Sequence, residues 1–439
     1  LAIGYHAMQV HTTGHSNIAI GYGAMDDTDA GSTSSDSDHN LAIGVNAMGG
    51  TWANAKSENN IAIGNNTMDG ALNTAHYNMA LGHYVLTNIT EGNSNIGIGW
   101  AAAENITTGN SNIIIGRQAG DSLTTKSGMI AIGGGALGAV STTGGDYTIA
   151  IGHGAMGGAE IGDGNIAIGY QSMQNANAAG FHRNTAVGYQ TMANVGSNSA
   201  DDNTAVGYRA LASVTTGDDN VAMGSYAMED ATTAGDNVAI GQYAMGNRVS
   251  GSNNVAIGPD AQYNSIGSNY NVSIGSFAGY NLTTGGSNIF IGNKAGYANQ
   301  TQGNAIAIGY EAMGGDAGTQ EASGIAMGFR AMFEVKDGSQ GIAIGGSALN
   351  YLVGQYSLGI GNEAGRYATG SYNTFVGFSA GKGASSAPYA SGEYNTAVGY
   401  LAHDAFTTGK QNVAIGWEAA TSLTTGYYST FLGVRAGRS

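Results

Sequence analysis

A single motif recurs along the whole chain of 439 residues, and it constrains the fold more than any other feature. Asn-Leu-Ala-Ile-Gly at 40–44 returns as Asn-Ile-Ala-Ile-Gly at 60–64, Asn-Thr-Ala-Val-Gly at 203–207 and Asn-Val-Ala-Ile-Gly at 412–416. The motif occurs 25 times, and 14 of the 24 intervals between its final glycines are 17 residues long. Sequences with a short fixed period form arrays in which each repeat stacks on its neighbours. Residues 1–439 are therefore predicted to be one continuous repeat array.

We number each repeat from its final glycine, position 0, so that preceding residues are negative and following residues positive. Position −1 is Ile, Val, Leu or Met in every copy, and position −3 is mostly Ile, Val or Leu. This alternation predicts a short strand that ends at the glycine. Positions +1 to +5 are expected to form a second short strand, followed by a turn that often reads Thr-Thr-Gly. The chain is thus predicted to be all-β, a parallel β-solenoid or β-roll of about 25 coils.

Two repeat positions are predicted to be structural. The glycine at position 0 is expected where the backbone needs a positive φ or closely approaches a neighbouring coil. Position −4 is Asn in 17 of the 24 copies that contain it, and stacked amides are expected to hydrogen-bond in a ladder. Representative residues are Gly44, Gly64, Gly207 and Gly416 at position 0, and Asn40, Asn60, Asn203 and Asn412 at position −4.

Position −2 lies on the opposite face of the strand from −3 and −1, and it is also apolar, with Ala in 18 copies. A strand that is apolar on both faces is buried on both faces. One face can fill the coil, and the other must meet either another part of the chain or a neighbouring subunit. A coil built largely of Ala and Gly buries little apolar surface of its own to offset the backbone entropy lost when its residues are ordered. This balance favours an oligomer.

Positions −2 and +4 are predicted to share packing space. Position +4 is Met in 11 copies, Leu in four and Gly in six. Four of the six copies with Gly at +4 carry Ile or Phe at −2, as with Phe290 and Gly296, and no other copy does. A large residue at −2 would replace the volume of the missing Met. Ser273 and Gly359 occupy −2 in the two copies that depart from this rule.

Composition disfavours several kinds of partner and cofactor. The chain has 14 Lys and Arg against 30 Asp and Glu, a net charge of −16, which argues against nucleic acid. It lacks a run of 18 apolar residues, so membrane insertion is not expected. Cys is absent and the nine His lack zinc-site spacing, so neither a metal nor another cofactor is expected. The aspartates of Asp26–Asp38 leave two interpretations, a solvated loop or a weak calcium site.

The sequence is also predicted not to encode an enzyme. Gly133–Gly138 and Gly152–Gly157 match the dinucleotide-binding pattern Gly-x-Gly-x-x-Gly. Both coincide with repeat positions 0, +2 and +5, and neither opens a helix in a βαβ unit, as the binding mechanism requires. The chain shows no local signature of a catalytic nucleophile.

Position +1, aromatic in 11 copies, is the main candidate for a ligand-binding surface. An exposed row of rings is suited to stacking against the sugars of a cell-surface glycan, and ring-on-ring packing that stabilises the array is the alternative. The insertions at 26–39, 49–59 and 381–394 are further candidates, because loops on rigid scaffolds carry recognition. The two runs in consecutive copies are Tyr170, Tyr189 and Tyr208, and Phe378, Tyr400 and Trp417.

In tandem, Asn-x-Ala-Ile-Gly-x-x-Ala resembles the head repeats of YadA-like trimeric autotransporter adhesins. Copies such as 203–211, with their Thr-Thr-Gly linkers, are also similar to repeats in long trimeric fibres of phages and environmental bacteria. The resemblance covers nearly the whole chain, and it implies a left-handed parallel β-roll in a homotrimer used for attachment. The common head repeat is shorter than 17 residues, which implies an enlarged turn in this chain.

Together these features predict a non-enzymatic segment of an extracellular fibre, either an adhesin on a bacterial surface or a phage tail-fibre shaft. Its partners would be further copies of itself and a cell-surface glycan or host receptor. The sequence does not choose between adhesin and phage fibre, and the chain is expected to be a piece of a longer fibre. The alternative is a purely structural filament or surface-layer component without a receptor site of its own.

Overall fold

The structure, a computed structural model, has β-strands as its only regular elements, and among the described residues none is helical. The prediction of an all-β parallel solenoid is confirmed. Each of the 25 strands ends one residue before a position-0 glycine. The described residues are 1–11, 14–27, 37–52, 56–139, 145–158, 162–175, 181–195, 200–247, 250–315, 323–335, 340–386 and 388–438.

The chain divides into two compact units, Leu1–Asp219 and Asn220–Ser439. The strands of the first unit are β1 Ala2–Ile3, β2 Ile18–Ile20, β3 Leu41–Ile43, β4 Ile61–Ile63, β5 Met79–Leu81, β6 Ile96–Ile98, β7 Ile113–Ile115, β8 Ile130–Ile132, β9 Ile149–Ile151, β10 Ile166–Ile168, β11 Thr185–Val187 and β12 Thr204–Val206. Those of the second unit are β13 Val221–Met223, β14 Val238–Ile240, β15 Val255–Ile257, β16 Val272–Ile274, β17 Ile289–Ile291, β18 Ile306–Ile308, β19 Ile325–Met327, β20 Gly341–Ile344, β21 Ser357–Ile360, β22 Thr374–Val376, β23 Thr396–Val398, β24 Val413–Ile415 and β25 Thr430–Leu432.

Within each unit every strand pairs in parallel with the next strand in the sequence. Equivalent repeat positions are aligned, as for Ala167 with Ala186 in the first unit and Ala239 with Ala256 in the second. One repeat therefore forms one coil, and successive coils stack in register. This is the arrangement that defines a parallel β-solenoid.

The glycine at position 0 is required for both of the predicted reasons. Its φ lies between 116° and 143° in all copies, a region that side-chain-bearing residues rarely adopt. In addition, a Cβ atom at Gly44, Gly64 or Gly416 would overlap the carbonyl oxygen of the position-0 glycine in the following coil. Gly207 has the same conformation, with φ 138°. Each strand consequently ends at a sharp bend that brings neighbouring coils into close contact.

The predicted second strand at positions +1 to +5 is wrong, because this segment turns. Asn46 and Met48, at +2 and +4, have φ of 52° and 53°, in the left-handed region. The physical reason lies in the consecutive residues Ala47 and Met48, which are both buried in the coil. An extended strand places successive side chains on opposite faces, so it cannot bury both.

The interior of each coil is filled from several parts of the repeat. The residue at −2, mostly Ala, is buried in each of β2–β24, and Ala at +3 and Met or Leu at +4 are buried with it. A further buried position at +7 was not foreseen from the sequence. The available signal was the apolar residue that precedes Thr-Thr in the turn. Buried residues at +7 include Ile106, Leu123, Leu282 and Phe406.

The predicted asparagine ladder is present. Asn60 donates from its backbone N–H (3.0 Å) and from Nδ2 (3.1 Å) to Oδ1 of Asn40 in the preceding coil. Its Nδ2 also donates to the carbonyl of Ala75 (2.8 Å), and its Oδ1 accepts from Asn78 in the following coil. These side chains are buried, so the ladder satisfies polar groups that water cannot reach. The same pattern recurs at Asn203 and Asn412.

Phe290 fills space left by glycines at +4 in two coils. A Cβ atom at Gly296 would lie 2.5 Å from the Phe290 ring, and one at Gly279, in the preceding coil, would lie 3.0 Å from it. The ring thus occupies the volume that two Met side chains take elsewhere. It also explains why Ser273, at −2 in the coil of Gly279, departs from the volume rule.

Phe375 explains the other departure in the same way. Its fully buried ring lies against both Gly381, in its own coil, and Gly365, in the preceding one. Leu349, in the coil before that of Gly365, shares this role, because a Cβ atom at Gly365 would lie 2.6 Å from Leu349 and 2.7 Å from Phe375. Gly359, at −2 in the coil of Gly365, needs no large side chain because Leu349 already fills the space beside it, 2.8 Å from where a Cβ atom would lie.

Candidate interaction surfaces

The strand face formed by positions −3 and −1 points away from the coil interior. Side chains at both positions are at least partly exposed in all 25 strands, in contrast to the buried −2 residues. Position −1 is aliphatic or Met in every copy, and neither row contains a charged residue. We call these two rows the strand face.

The strand face continues from coil to coil within each unit. Twelve coils in the first unit and 13 in the second each contribute two residues to it. Contiguous exposed apolar patches beyond a few hundred Å² mark interaction sites in soluble proteins. The doubly apolar strand recognised in the sequence therefore has its −2 side inside the coil and its −3 and −1 side available to a partner.

The predicted aromatic residues of the first unit form a stacked row. Tyr170 and Tyr189 have ring centroids 5.0 Å apart with planes 15° apart, and Tyr189 and Tyr208 are 5.2 Å and 9° apart. His153 continues the row on the other side of Tyr170, at 5.8 Å and 17°. All three tyrosines are exposed.

In the second unit the row is less regular. Phe378 and Tyr400 stack at 5.3 Å with planes 12° apart. Trp417, the next residue of the row, has the guanidinium of Arg435 over its ring at 4.3 Å. The three aromatic residues are exposed, as position +1 is at all 11 aromatic copies.

This stacking changes what the rows offer to a ligand. Both faces of Tyr189 are covered by neighbouring rings. A sugar that approaches the row therefore meets ring edges and phenol hydroxyls rather than open ring faces. Any glycan recognition at the first-unit row would depend on hydrogen bonds to these hydroxyls more than on stacking.

The insertions are anchored by buried residues. Within 49–59, Trp52 is buried and donates its backbone N–H to the carbonyl of Asp27. Within 381–394, Ala390 is buried and bridges to Ala368 of the preceding coil. Both segments therefore remain attached to the coils along their described parts.

The aspartate-rich insertion is described only in part, because Asp29 and Asp36 lie outside the described residues. A hydrogen bond from the backbone N–H of His15, reinforced by Lys56, holds the pKa of the Asp38 carboxyl below its usual value. That carboxylate is thus engaged by donors of the protein itself. Across the described ranges, groups of three or more His, Cys, Asp or Glu residues placed to hold a metal ion are not found.

Sequence reasoning missed a groove of about 510 Å³ in the second unit. Its lining includes Gly324, Gly341 and Ser357, three consecutive −4 residues that are not Asn, beside the apolar −3 residues Ile325 and Ile342. With small residues in place of Asn, the space beside these strands stays open. The signal in the sequence was the loss of Asn from four successive copies.

His403 is a buried titratable group inside the second unit. It takes the +4 position that most copies give to Met or Leu, and its ring stacks on Phe406 at 5.1 Å. Burial lowers the pKa of His403, and an interaction with the Ala420 backbone opposes this only in part. Neither ring nitrogen has a hydrogen-bond partner of good geometry. The folded state therefore favours the neutral form of the His403 imidazole.

Acidification is expected to destabilise the second unit through His403. Its pKa in the folded state lies below the ordinary value of 6.5, so the free energy of unfolding is retained above that pH and falls as the pH drops below it. His403→Met should remove this pH dependence. Chemical denaturation of the native protein and His403→Met between about pH 5 and 8 measures the effect. Burial raises the pKa of Asp404, which gives the free energy of unfolding a pH dependence of opposite sign, and this contribution cancels when the two curves are subtracted.

The matched control for this prediction is Leu349→Met, a substitution at a buried +4 position of the same unit that removes no titratable group. It should leave the pH dependence unchanged. If the free energy of unfolding depended on pH in the same way in the native protein and in His403→Met, the pH dependence could not be attributed to His403.

Among the described residues there is no helix long and apolar enough to cross a membrane. The chain matches no protein-family model, no curated protein and no solved structure. Its class is therefore defined by its architecture, a parallel β-solenoid with an apolar strand face.

Proposed function

We propose that this chain is a segment of an extracellular attachment fibre, a bacterial adhesin or a phage tail-fibre shaft, in which three copies associate through the strand face. The observation that carries the proposal is the strand face itself, two uncharged and mostly apolar rows that are at least partly exposed along successive coils. The resemblance of the repeat to trimeric adhesin heads supports the number of copies, the left-handed winding and the extracellular location.

A second copy of the chain is the partner that fits this face best. The apolar residues repeat once per coil, at the strand spacing of about 4.8 Å. A partner that covers such a face along many coils needs the same period, and this chain has it. Closed cyclic symmetry would bury the strand faces of all copies against one another.

Attachment would be carried by the parts that differ between coils. Residues at 0, −2 and +3 are set by packing in nearly every coil, so they cannot encode one receptor. The aromatic rows and the exposed parts of the insertions vary along the chain and lie outside the coil interior, where changes cost the fold little. Such binding requires no catalytic group and no cofactor.

A structural filament without its own receptor site is the second candidate. It is favoured by the stacking of Tyr170, Tyr189 and Tyr208, which uses the ring faces for packing between coils. In that role the aromatic rows would stabilise the solenoid, and receptor contact would belong to another protein or another part of the fibre.

Self-association is the first testable consequence. Light scattering in native buffer is expected to give about three times the chain mass of 44.2 kDa. Leu81→Lys with Ile168→Lys, two exposed positions on the strand face, should shift the protein to a monomer because each buried lysine would lose its hydration. Thr108→Lys with Thr125→Lys adds the same charge at exposed turn positions, and this control should leave the mass unchanged.

A stable, monodisperse monomer of the unsubstituted chain would contradict the proposed assembly. For attachment, the same preparations are labelled and tested on bacterial cells and glycan arrays, together with the triple variant Tyr170→Ser, Tyr189→Ser and Tyr208→Ser and a shortened 381–394 insertion. Binding that either variant removes supports an attachment role. An assembled protein that binds nothing supports the structural filament instead.

A further inference from the structure

Several pairs of surface tyrosines in successive coils are held face to face. Tyr372 and Tyr394 have centroids 4.8 Å apart and planes only 4° apart, as close as the pairs of the Tyr170, Tyr189 and Tyr208 row. All five phenols are exposed, with between 42% and 52% of their surface accessible. Exposed phenols fixed in contact with each other are substrates for a specific covalent reaction.

We propose that these stacked tyrosines are sites of oxidative cross-linking, at which a peroxidase using hydrogen peroxide joins the rings of adjacent coils as dityrosine. Each phenol loses one electron and its hydroxyl proton, which gives two phenoxyl radicals. The radicals couple through a carbon–carbon bond between positions ortho to the hydroxyls, and the ring protons there are transferred to restore both phenols. The two electrons and two protons reduce one hydrogen peroxide to two waters.

The solenoid supplies the geometry that this coupling needs. The backbones of adjacent coils are held at the strand spacing of about 4.8 Å, so the two rings are neighbours before oxidation begins. Reacting groups that are already positioned avoid the entropy cost of an encounter. Exposure of the phenols gives a one-electron oxidant access to each ring and lets the hydroxyl protons leave to water.

The composition is consistent with this chemistry. The chain has 24 Tyr and no Cys, so it cannot form disulfides, and no thiol competes for the oxidant. A dityrosine between Tyr170 and Tyr189 would close a loop of one coil, which restricts the unfolded chain as a disulfide does. The proposal does not depend on the attachment role or on the number of copies.

The chain contains its own controls. Tyr147 and Tyr270 are more exposed than the stacked tyrosines, at 74% and 66%. Neither has the ring of another tyrosine stacked on it among the described residues. If exposure alone governed oxidation, these two residues would react at least as readily as the stacked pairs.

The test treats the intact protein at low concentration with a peroxidase and hydrogen peroxide. Dityrosine fluorescence gives the yield, and mass spectrometry of digests identifies linked peptides that have lost two hydrogens. Links within one chain are expected for Tyr170–Tyr189, Tyr189–Tyr208 and Tyr372–Tyr394. Linked peptides of Tyr147 or Tyr270 at equal abundance, or no links between stacked pairs, would overturn the proposal.

Tyr189→Phe distinguishes the role of the phenol hydroxyl from that of the stacked ring, because it removes only the hydroxyl. It keeps an aromatic ring at the centre of the first-unit row, so the fold should be unchanged by circular dichroism. Both links that involve this position should disappear, while the Tyr372–Tyr394 link remains. Tyr147→Phe is the matched control and should leave all three links at their original yield. Equal yields from the two variants would also overturn the proposal.

Discussion

Gly133→Ala is expected to destabilise the first unit severely, whereas Gly135→Asn two residues later should have little effect. At Gly133 φ is 133°, and a Cβ atom would lie 2.5 Å from the carbonyl oxygen of Gly152 in the next coil. The alanine would have to separate two coils or abandon the bend, and the combined strain and overpacking should cost about 2–6 kcal/mol. Chemical denaturation at neutral pH measures this cost.

Gly135 provides a close control for the substitution at Gly133. Its φ is 65°, but a Cβ atom there would meet nothing within 4 Å. The equivalent residues Asn46 and Asn66 adopt φ of 52° without glycine. Gly135→Asn should therefore change the free energy of unfolding by less than about 1 kcal/mol. Similar losses from both substitutions would show that positive φ alone, and not the approach of the next coil, sets the requirement.

Phe290→Ala is expected to produce the second large effect. The ring is fully buried, and its removal opens a cavity beside both Gly279 and Gly296, so about 3–5 kcal/mol of stability should be lost. The effect of Gly296→Met on the free energy of unfolding should have opposite signs in the native protein and in Phe290→Ala. In the native protein the new side chain collides with the ring, whereas in Phe290→Ala it fills the cavity and restores part of the stability.

The backbone at position 296 permits this test. Met245 and Met313 occupy +4 with φ of 50° and 49°, close to the φ of 63° at Gly296. A double-mutant cycle by chemical denaturation therefore measures packing rather than backbone strain. Purely additive losses in the double variant would mean that positions −2 and +4 do not share space.

The period of the sequence was sufficient to predict the parallel solenoid. Asn40 can stack on Asn60, and Gly44 on Gly64, only if each repeat forms one coil. It also identified the exchange of volume between Phe290 and Gly296. Both features follow from comparing equivalent positions in different repeats, which does not require knowledge of the backbone conformation within a coil.

The path within one coil was harder to predict. The turn at Asn46 and Met48 escaped detection because non-glycine residues with positive φ have no strong signature, although burial of adjacent apolar residues excludes a strand there. The orientation of the Tyr189 ring, which decides what a ligand can reach, depends on side-chain packing between coils. Handedness and the number of associated copies remain predictions.

The asparagine ladder allows the number of coils to change during evolution. Where position −4 is Asn, as in 17 of 24 copies, the amide accepts from the following coil and donates to the preceding one, so these coils present the same groups to their neighbours. Removal or duplication of a whole repeat would therefore leave the flanking coils with equivalent partners, whereas a change of a few residues inside the motif would not. A protein built in this way can gain or lose whole coils without redesign of its core.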